Sequence, residues 1–288
     1  MLNLLGIGDN VCDMYLHTGT MYPGGQALNV AVFAGMLGAN AEYMGVFGTD
    51  DVAKHVKSTL RELNVSFSHS RTVEGENGYA KVHLVNGDRV FLSSNKGGVL
   101  GTHPIRFTDE DRAYIQGFDL VYTSNNSYLD DQLPILNSFG PWLSYDFSGS
   151  WKDESRLSKV CCYTDVVLLS SPRIGREEAW SLARLINTHG ENTVVITMGS
   201  AGAWCFSDGE LYYQPIVQVQ AIDTLGAGDS FAAQFLVCAC GEARNRGIDI
   251  NRLPSDIVST ALEAAADFAA KTCLVHGAFG YGAPIPLN

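Results

Sequence analysis

The sequence predicts an α/β fold built on a doubly wound, mostly parallel sheet flanked by helices. Short apolar segments bounded by glycine or polar residues recur along the chain, and stretches of helical periodicity lie between and after them. This alternation is typical of parallel sheets, because parallel strands are usually joined by a helix. One segment in the first third of the chain departs from the pattern and predicts a small antiparallel unit.

The predicted strands are buried runs of Leu, Ile, Val and aromatic residues. They cover Leu2–Ile7, Tyr43–Phe47, Phe118–Tyr122, Leu143–Phe147, Val166–Leu169 and Val194–Thr197. Helical spacing of apolar residues predicts helices over residues 27–37, 52–63 and 179–186, and two further helices over Asp229–Cys240 and Ser255–Thr272.

Two hairpins interrupt this order. In the segment 65–100, apolar and polar residues alternate ahead of Asn86-Gly87, a strong signal for a two-residue turn. Asp208-Gly209 predicts a second hairpin over Ala203–Gln214. The first of these hairpins is the antiparallel unit that we expect beside the main sheet.

Composition excludes several classes of protein. A chain of 288 residues with 46% apolar and 17% charged residues can bury a full core, and no apolar run approaches the roughly 18 residues of a membrane span. The net charge of −12 argues against nucleic acid or an anionic membrane as the main partner. Because we find no linker, repeat or low-complexity tract, we expect one domain over residues 1–288.

Cysteine usage and the N-terminus predict a cytoplasmic protein. The seven cysteines are an odd number without a C-x-x-C pair, so we expect reduced, mostly buried thiols and neither disulfides nor a zinc site. The opening segment has no cationic start and too short an apolar stretch for a signal peptide. The seven histidines are scattered and form no metal-binding spacing.

A glycine-rich turn precedes the first of the two C-terminal helices. Gly226, Ala227 and Gly228 stand where the backbone N–H groups of a helix lack partners and the helix dipole is positive, so they can bind an anion without obstruction by side chains. Asp229 would lie beside that anion, where a carboxylate can take a proton from an attacking hydroxyl. Local physics equally allows a tight turn in which Asp229 caps the helix.

Ordered sequence strings extend this observation to a known family. Asp-Thr-Leu-Gly-Ala-Gly-Asp-Ser-Phe over 223–231 resembles the C-terminal signature of the ribokinase-like (PfkB) sugar kinases. Gly-Gly-Gln-Ala-Leu-Asn-Val-Ala over 24–31 resembles their N-terminal signature, and 8–13 resembles their first strand and turn. The resemblance covers nearly the whole chain. It implies a ribokinase-like fold with a small β lid, and phosphorylation of a sugar hydroxyl by ATP.

The resemblance also implies roles for individual residues. Asp229 would be the catalytic base, and Gly226, Ala227 and Gly228 would form the anion hole. The residues that would hold substrate hydroxyls are Asp13, Gly25 and Asn29, and those lining the nucleotide site are Thr197, Gly199, Ser200 and Gly202. The lid would comprise approximately 65–100 with a contribution from 14–22. Each of these residues, taken singly, also fits an ordinary turn, cap or surface position.

One family element is missing. Most members carry Asn-x-x-Glu after the strand at 166–169, where it orders Mg²⁺ near the phosphates, whereas this chain reads Ser-Ser-Pro-Arg-Ile-Gly-Arg-Glu-Glu over 170–178. Glu177 or Glu178 would supply the acid from one turn later, although a solvated carboxylate at a helix start is the alternative. Asp223 resembles the residue beside the family's monovalent-cation site, which leaves potassium open as a second ion.

Within the family, the sequence is most similar to the bacterial fructoselysine 6-kinases. Shared strings include Gly-Asp-Arg-Val-Phe over 87–91 and Asp-Phe-Ser over 146–148. The expected acceptor is therefore the 6-hydroxyl of fructoselysine or a related fructosamine, with Arg89 and Lys96 near its amino-acid carboxylate. The alternatives are a kinase of a nucleoside, fructose or 2-keto-3-deoxygluconate, and a catalytically silent sugar- or nucleotide-binding regulator. An exposed lid edge also leaves open a homodimer.

Overall fold

Apolar strands of the predicted kind assemble into one large sheet and a second, smaller one. The computed structural model describes residues 1–85 and 88–286. Its strands, in chain order, are β1 (Asn3–Gly8), β2 (Val11–Tyr15), β3 (Thr20–Gly24), β4 (Asn40–Phe47), β5 (Arg71–Thr72), β6 (Gly78–Val85), β7 (Asp88–Ser94), β8 (Leu120–Ser124), β9 (Trp142–Asp146), β10 (Val166–Ser170), β11 (Thr193–Thr197), β12 (Ala203–Ser207), β13 (Glu210–Gln214) and β14 (Ala283–Pro284).

Helices connect most strands of the large sheet. They are α1 (Gln26–Met36), α2 (Asp51–Glu62), α3 (Val99–Thr102), α4 (Asp109–Ile115), α5 (Leu133–Asn137), α6 (Glu154–Cys161), α7 (Arg176–Ile186), α8 (Ala227–Arg246) and α9 (Ser255–Thr272). The predicted bounds of α9 are confirmed, whereas α8 begins two positions before Asp229 and continues past Cys240 until Gly247 ends it in the left-handed conformation. None of the described helices has the length and apolar character needed to cross a lipid bilayer.

The large sheet has the order β13-β12-β11-β10-β9-β8-β1-β4-β5, and its antiparallel pairs among the described strands are β11 with β12 and β12 with β13. The predicted α/β class is therefore confirmed. Strand order reverses at β1, which pairs with β4 on one side and β8 on the other. In open α/β sheets, ligands bind at the carboxyl ends of the strands beside such a reversal. The fold thus directs attention to the residues after Gly8 and Ser124.

Both faces of the large sheet are covered, and β1 shows how the sequence achieves this. Leu4 packs into a core that includes residues of α1, α8 and α9, while Leu5 and Ile7 pack into a second core with residues of α4 to α7. Successive side chains of a strand point to opposite faces, so a fully apolar strand needs cover on both sides. This explains why the strands of this sheet read as continuous apolar runs.

The small sheet has the order β14-β3-β2-β6-β7 and contains residues from three parts of the chain. Its described pairs are antiparallel except for β2 with β6, which run parallel. Residues 65–77 of the expected lid lie elsewhere: Ser66 bridges to Glu42, and β5 pairs with the edge strand β4 of the large sheet. The turn expected at Asn86-Gly87 lies outside the described residues.

Candidate active site

A cavity of about 460 Å³ opens at the carboxyl ends of β1, β8, β9 and β10, facing the small sheet. Its position agrees with the reversal of strand order at β1. Four of the described carboxylates line it, and Lys96 is the one cationic side chain among its described lining residues. The four are Asp9, Asp13, Asp146 and Asp229.

Asp9 fixes the start of α1 at the cavity. Its carboxylate accepts hydrogen bonds from the backbone N–H groups of Gln26 at 2.8 Å and Ala27 at 3.1 Å, so it caps a helix that has no side-chain cap of its own. Burial raises the pKa of Asp9, and these two amide bonds oppose the rise. Asp9 was not among the predicted site residues, although the string Gly-Asp-Asn at 8–10 drew attention to this turn.

The two glycines before α1 have separate tasks. Gly25 has φ of 106°, and a Cβ there would lie 2.7 Å from the carbonyl oxygen of Asp9. A Cβ on Gly24 would instead lie 2.7 Å from Oδ2 of Asp13, a buried residue of β2. Glycine is therefore required at both positions, once for backbone conformation and once to admit the Asp13 carboxylate.

The glycine-rich turn before α8 reaches the same cavity. Gly226 has φ of 75° and lies against Ala278, whereas Gly228 is helical and a Cβ there would meet nothing within 4 Å. Both glycines line the cavity. The third predicted amide, that of Ala227, donates a long hydrogen bond of 3.3 Å to the carbonyl of Thr224. The open space over Gly228, at a helix N-terminus, suits an anionic group.

Asp229 and Asn29 are brought together by the packing of α1 against α8. The Nδ2 group of Asn29 donates to Oδ2 of Asp229 at 2.6 Å. Asn29 is buried, it lines the cavity, and its Oδ1 has no hydrogen-bond partner among the described residues. A buried amide oxygen normally has a partner, so this oxygen is suited to accept a hydroxyl of a ligand.

Asp146 is a site residue that sequence reasoning missed. It ends β9, accepts the N–H of Ser148 at 2.6 Å and the hydroxyl of Tyr122 at 3.2 Å, and lines the cavity. Burial raises its pKa, and these two hydrogen bonds oppose the rise. The available signals were its place at the end of a predicted strand and its inclusion in the shared string at 146–148.

The predicted nucleotide residues divide into two groups. Thr197, at the end of β11, lines the cavity. Gly199, Ser200 and Gly202 belong to the short turn that follows β11, and they lie outside the cavity lining while remaining at the same edge of the sheet. Thr197 thus links the cavity to this turn through the end of one strand.

The two carboxylates predicted at ion sites, Glu178 and Asp223, both accept hydrogen bonds within the protein. Glu178 accepts the backbone N–H of Gly175 at 2.9 Å and so closes a capping box at the start of α7. Asp223 is fully buried and accepts three hydrogen bonds. Within residues 1–85 and 88–286, no group of three or more His, Cys, Asp or Glu side chains is arranged to hold a metal ion. Both carboxylates thus already accept hydrogen bonds from protein groups.

At the mouth of the cavity, Lys96 and Tyr128 face each other. Both have positive φ, 54° and 57°, although neither is glycine, and the Tyr128 hydroxyl donates to the Lys96 carbonyl at 2.7 Å. Such backbone conformations are uncommon and cluster at functional sites. The side chain of Arg89, the other predicted cation, lies outside the described residues.

Comparison with known proteins agrees with this geometry. The sequence profile of the pfkB family carbohydrate kinases matches residues 4–137 and 168–280. Fructosamine kinase FrlD of Bacillus subtilis is 41% identical over all of this chain and 96% of its own length. Fructoselysine 6-kinase of Escherichia coli is 31% identical over 97% of this chain and all of its own length. The ribokinase structure from Giardia lamblia superposes with a TM-score of 0.83 at 17% identity, covering 97% of this chain and 95% of that one.

The two glycines of the turn before α8 should respond differently to substitution. Gly226→Ala should lower the free energy of unfolding by about 1–3 kcal/mol, because it adds a left-handed alanine and a contact with Ala278. Gly228→Ala should leave that energy within about 1 kcal/mol, because the space is open and alanine favours helix. Urea unfolding followed by circular dichroism measures both. If both variants lose the same free energy of unfolding, the backbone conformations assigned to Gly226 and Gly228 are contradicted.

Proposed function

The chain belongs to the pfkB family of carbohydrate kinases, and from this premise we propose that it phosphorylates the 6-hydroxyl of fructoselysine or a related fructosamine. It is an ATP-dependent carbohydrate kinase by family. One observation supports the chemistry above all: Asp229 lies at the N-terminus of α8, hydrogen-bonded to Asn29, in the cavity that Gly226 and Gly228 also line. A carboxylate, a sugar-binding amide and bare helix amides are what phosphoryl transfer to a hydroxyl requires.

In the proposed reaction, Asp13, Gly25 and Asn29 hold the sugar so that its 6-hydroxyl faces Asp229. The hydroxyl oxygen forms a bond to the γ-phosphorus as the bond from that phosphorus to the bridging oxygen of ADP breaks, and the hydroxyl proton passes to Asp229. The glycine-rich turn would offset charge on the transferring group, because the N-terminus of a helix carries partial positive charge. Most of the rate enhancement is assigned to this electrostatic term.

ATP would extend from the open space over Gly228 along the end of β11 toward the turn at 199–202. Kinases of this family typically use a divalent metal, and we propose Mg²⁺, which would neutralise phosphate charge when bound. Because Glu178 and Asp223 are engaged elsewhere, its ligands would be phosphate oxygens and water, an arrangement that Mg²⁺ accepts readily. Since ATP is made there, we propose that the protein works in the cytoplasm.

The fructosamine assignment is supported by the two relatives and by the cavity mouth. The relatives carry the names fructosamine kinase and fructoselysine 6-kinase. A fructosamine holds a ketose at one end and an amino acid at the other, so the amino-acid part must leave the cavity past Lys96 and Tyr128. We propose that Lys96, and with it Arg89, meets the carboxylate of that amino acid. The small sheet would act as a lid on the single domain and exclude water during transfer.

Replacing Asp229 tests the proposed base. Asp229→Asn is nearly isosteric but accepts no proton, so kcat should fall by at least about 100-fold. ATP affinity, measured by calorimetry, should change little. Asp267→Asn, an exposed site on α9, is the matched control and should retain full kcat. Normal turnover by a folded Asp229→Asn protein would remove Asp229 from its assigned role.

A panel of acceptors tests the substrate. With ADP release as the readout, fructoselysine or a related conjugate should give a higher kcat/KM than free fructose, ribose, a nucleoside or 2-keto-3-deoxygluconate, and NMR should locate the phosphate on the 6-hydroxyl. In Lys96→Ala or Arg89→Ala, the ratio of kcat/KM for fructoselysine to kcat/KM for fructose should fall by up to about fivefold, which is the limit for an exposed ion pair. Lys54→Ala, which removes an exposed lysine of α2, is the control. If plain fructose or ribose is the best acceptor, the fructosamine assignment fails while kinase activity stands.

We also propose that two chains pair through the small sheet. Its edge strand β7 exposes Val90, Phe91 and Leu92, which are 44%, 58% and 51% accessible. An apolar edge strand of this kind is a template for pairing with another strand.

Light scattering after size exclusion tests this pairing. The parent protein should have the mass of a dimer, and Leu92→Asp should have the mass of a monomer because the charge would be buried unpaired in the joined edge. Leu185→Asp, an exposed leucine on α7, should leave the dimer intact. A monomeric parent at micromolar concentration contradicts the proposal.

A further inference from the structure

Asp223 anchors the segment that leads into the glycine-rich turn. Its side chain is fully buried, and its carboxylate accepts the Tyr15 hydroxyl at 2.7 Å and the Gly277 N–H at 2.9 Å on Oδ2, and the Leu225 N–H at 3.0 Å on Oδ1. All three of these donors are neutral. A buried carboxylate must be satisfied by hydrogen bonds or by a cation, and here protein groups provide the hydrogen bonds.

The three donors come from three separate parts of the molecule. Tyr15 belongs to β2 of the small sheet, Leu225 to the turn itself, and Gly277 to the loop after α9. The backbone adds a further link, because the N–H groups of Ile222 and Asp223 both donate to the carbonyl of Cys273, at 2.8 and 3.3 Å. One carboxylate thus joins the small sheet and the C-terminal loop to the segment that positions the phosphate-binding amides.

Close packing around Asp223 holds its three hydrogen-bond donors in place. Tyr15 is buried and its ring contacts that of Tyr22 edge to face, with centroids 5.1 Å apart. Gly277 has φ of 69°, and a Cβ there would lie 2.7 Å from the Tyr22 ring, so only glycine lets its N–H approach Asp223. The aromatic pair and the glycine together fix the donors around the carboxylate.

The same hydrogen bonds decide whether Asp223 could also be a ligand of the monovalent cation that the family resemblance leaves open. A carboxylate has about four lone-pair positions, and three donors already occupy Asp223. The carbonyl of Cys273, the neighbouring oxygen, accepts two N–H groups. A potassium ion needs several unoccupied oxygens, so the side chain of Asp223 does not fit as its ligand.

We propose that Tyr15 is a positioning residue for the phosphate-binding turn, and that its hydroxyl and two backbone amides stabilise Asp223 in place of a monovalent cation. Tyr15 acts through Asp223 and does not contact the reacting atoms. Turnover is accordingly independent of potassium. This inference rests on the family's kinase chemistry and not on the fructosamine assignment, so the test uses whichever sugar the enzyme phosphorylates.

The first measurement uses the parent protein alone. Activity is assayed in choline chloride, NaCl and KCl at one ionic strength, and kcat should agree within about twofold among them because Asp223 is already satisfied. The melting temperature of the nucleotide-free protein should likewise show no potassium-specific rise, since a bound ion would stabilise the folded state. Activation by KCl of about tenfold over choline, or a potassium-specific rise in melting temperature, overturns the proposal.

The second measurement compares two tyrosines. Tyr15→Phe removes the hydroxyl that Asp223 accepts and should lower kcat by about tenfold or more, with little change in the KM of the sugar. Tyr22→Phe removes a hydroxyl from the adjoining ring, for which no hydrogen bond to Asp223 is present among the described residues, and should leave kcat near the parent value. Equal kcat for Tyr15→Phe and Tyr22→Phe overturns the positioning role.

A double-mutant cycle with Asp223→Asn separates positioning from a general loss of structure. If Tyr15 acts through Asp223, the loss of kcat in the double variant should be far smaller than the product of the two single losses. Multiplicative losses would assign Tyr15 to packing alone and overturn the proposal. Far-ultraviolet circular dichroism shows whether each variant is folded. Where a variant does not fold, the ion comparison on the parent protein still tests the independence from a monovalent cation.

Discussion

The meeting of two helix N-termini in one cavity is the constraint on which the rest of the site depends. Helices α1 and α8 pack against each other, and each begins at a glycine of positive φ, Gly25 or Gly226, that brings its first turn to the cavity. A helix N-terminus carries partial positive charge. The two helix ends therefore provide a local positive potential that favours an anion. They do so in a chain whose net charge is −12 and whose cavity is lined by four of the described aspartates.

Carboxylates in the cavity would repel the phosphates of a nucleotide, and the positive potential of the helix ends opposes that repulsion. Asp9 is satisfied by the first amides of α1, and Asp146 by the amide of Ser148 and the hydroxyl of Tyr122. Burial, and then the three nearby carboxylates, raise the pKa of Tyr122 well above its ordinary value, so its hydroxyl remains a donor. These two carboxylates thus have local donors of their own, and in the proposed site the N-terminus of α8 would be left to the phosphate.

Sequence reasoning found what is local and missed what depends on distant contacts. The glycine-rich turn, α9 and the mostly parallel α/β class follow from periodicity and from short strings. Asp146 lines the cavity only because β9 lies beside β8, a pairing that no local pattern encodes. The engagement of Asp223 depends on Tyr15, which is 208 positions away in the sequence. Likewise, the small sheet gathers strands from both ends of the chain, so no single segment predicts its extent.

In the proposed site, the side-chain amide of Asn29 would join substrate binding to proton transfer, because its nitrogen and its oxygen would each contact one of the two partners. Its Nδ2 donates to Asp229 at 2.6 Å, and this fixes its Oδ1 as an acceptor. A sugar hydroxyl that donates to Oδ1 would therefore be held by the same group that orients the base. Because α1 supplies Asn29 and α8 supplies Asp229, correct packing of the two helices would be needed for both the proposed binding and the proposed proton transfer. Because the Asn29 side chain is buried, its amide is held in one orientation. The nitrogen therefore stays toward Asp229, and the oxygen stays available to the sugar hydroxyl.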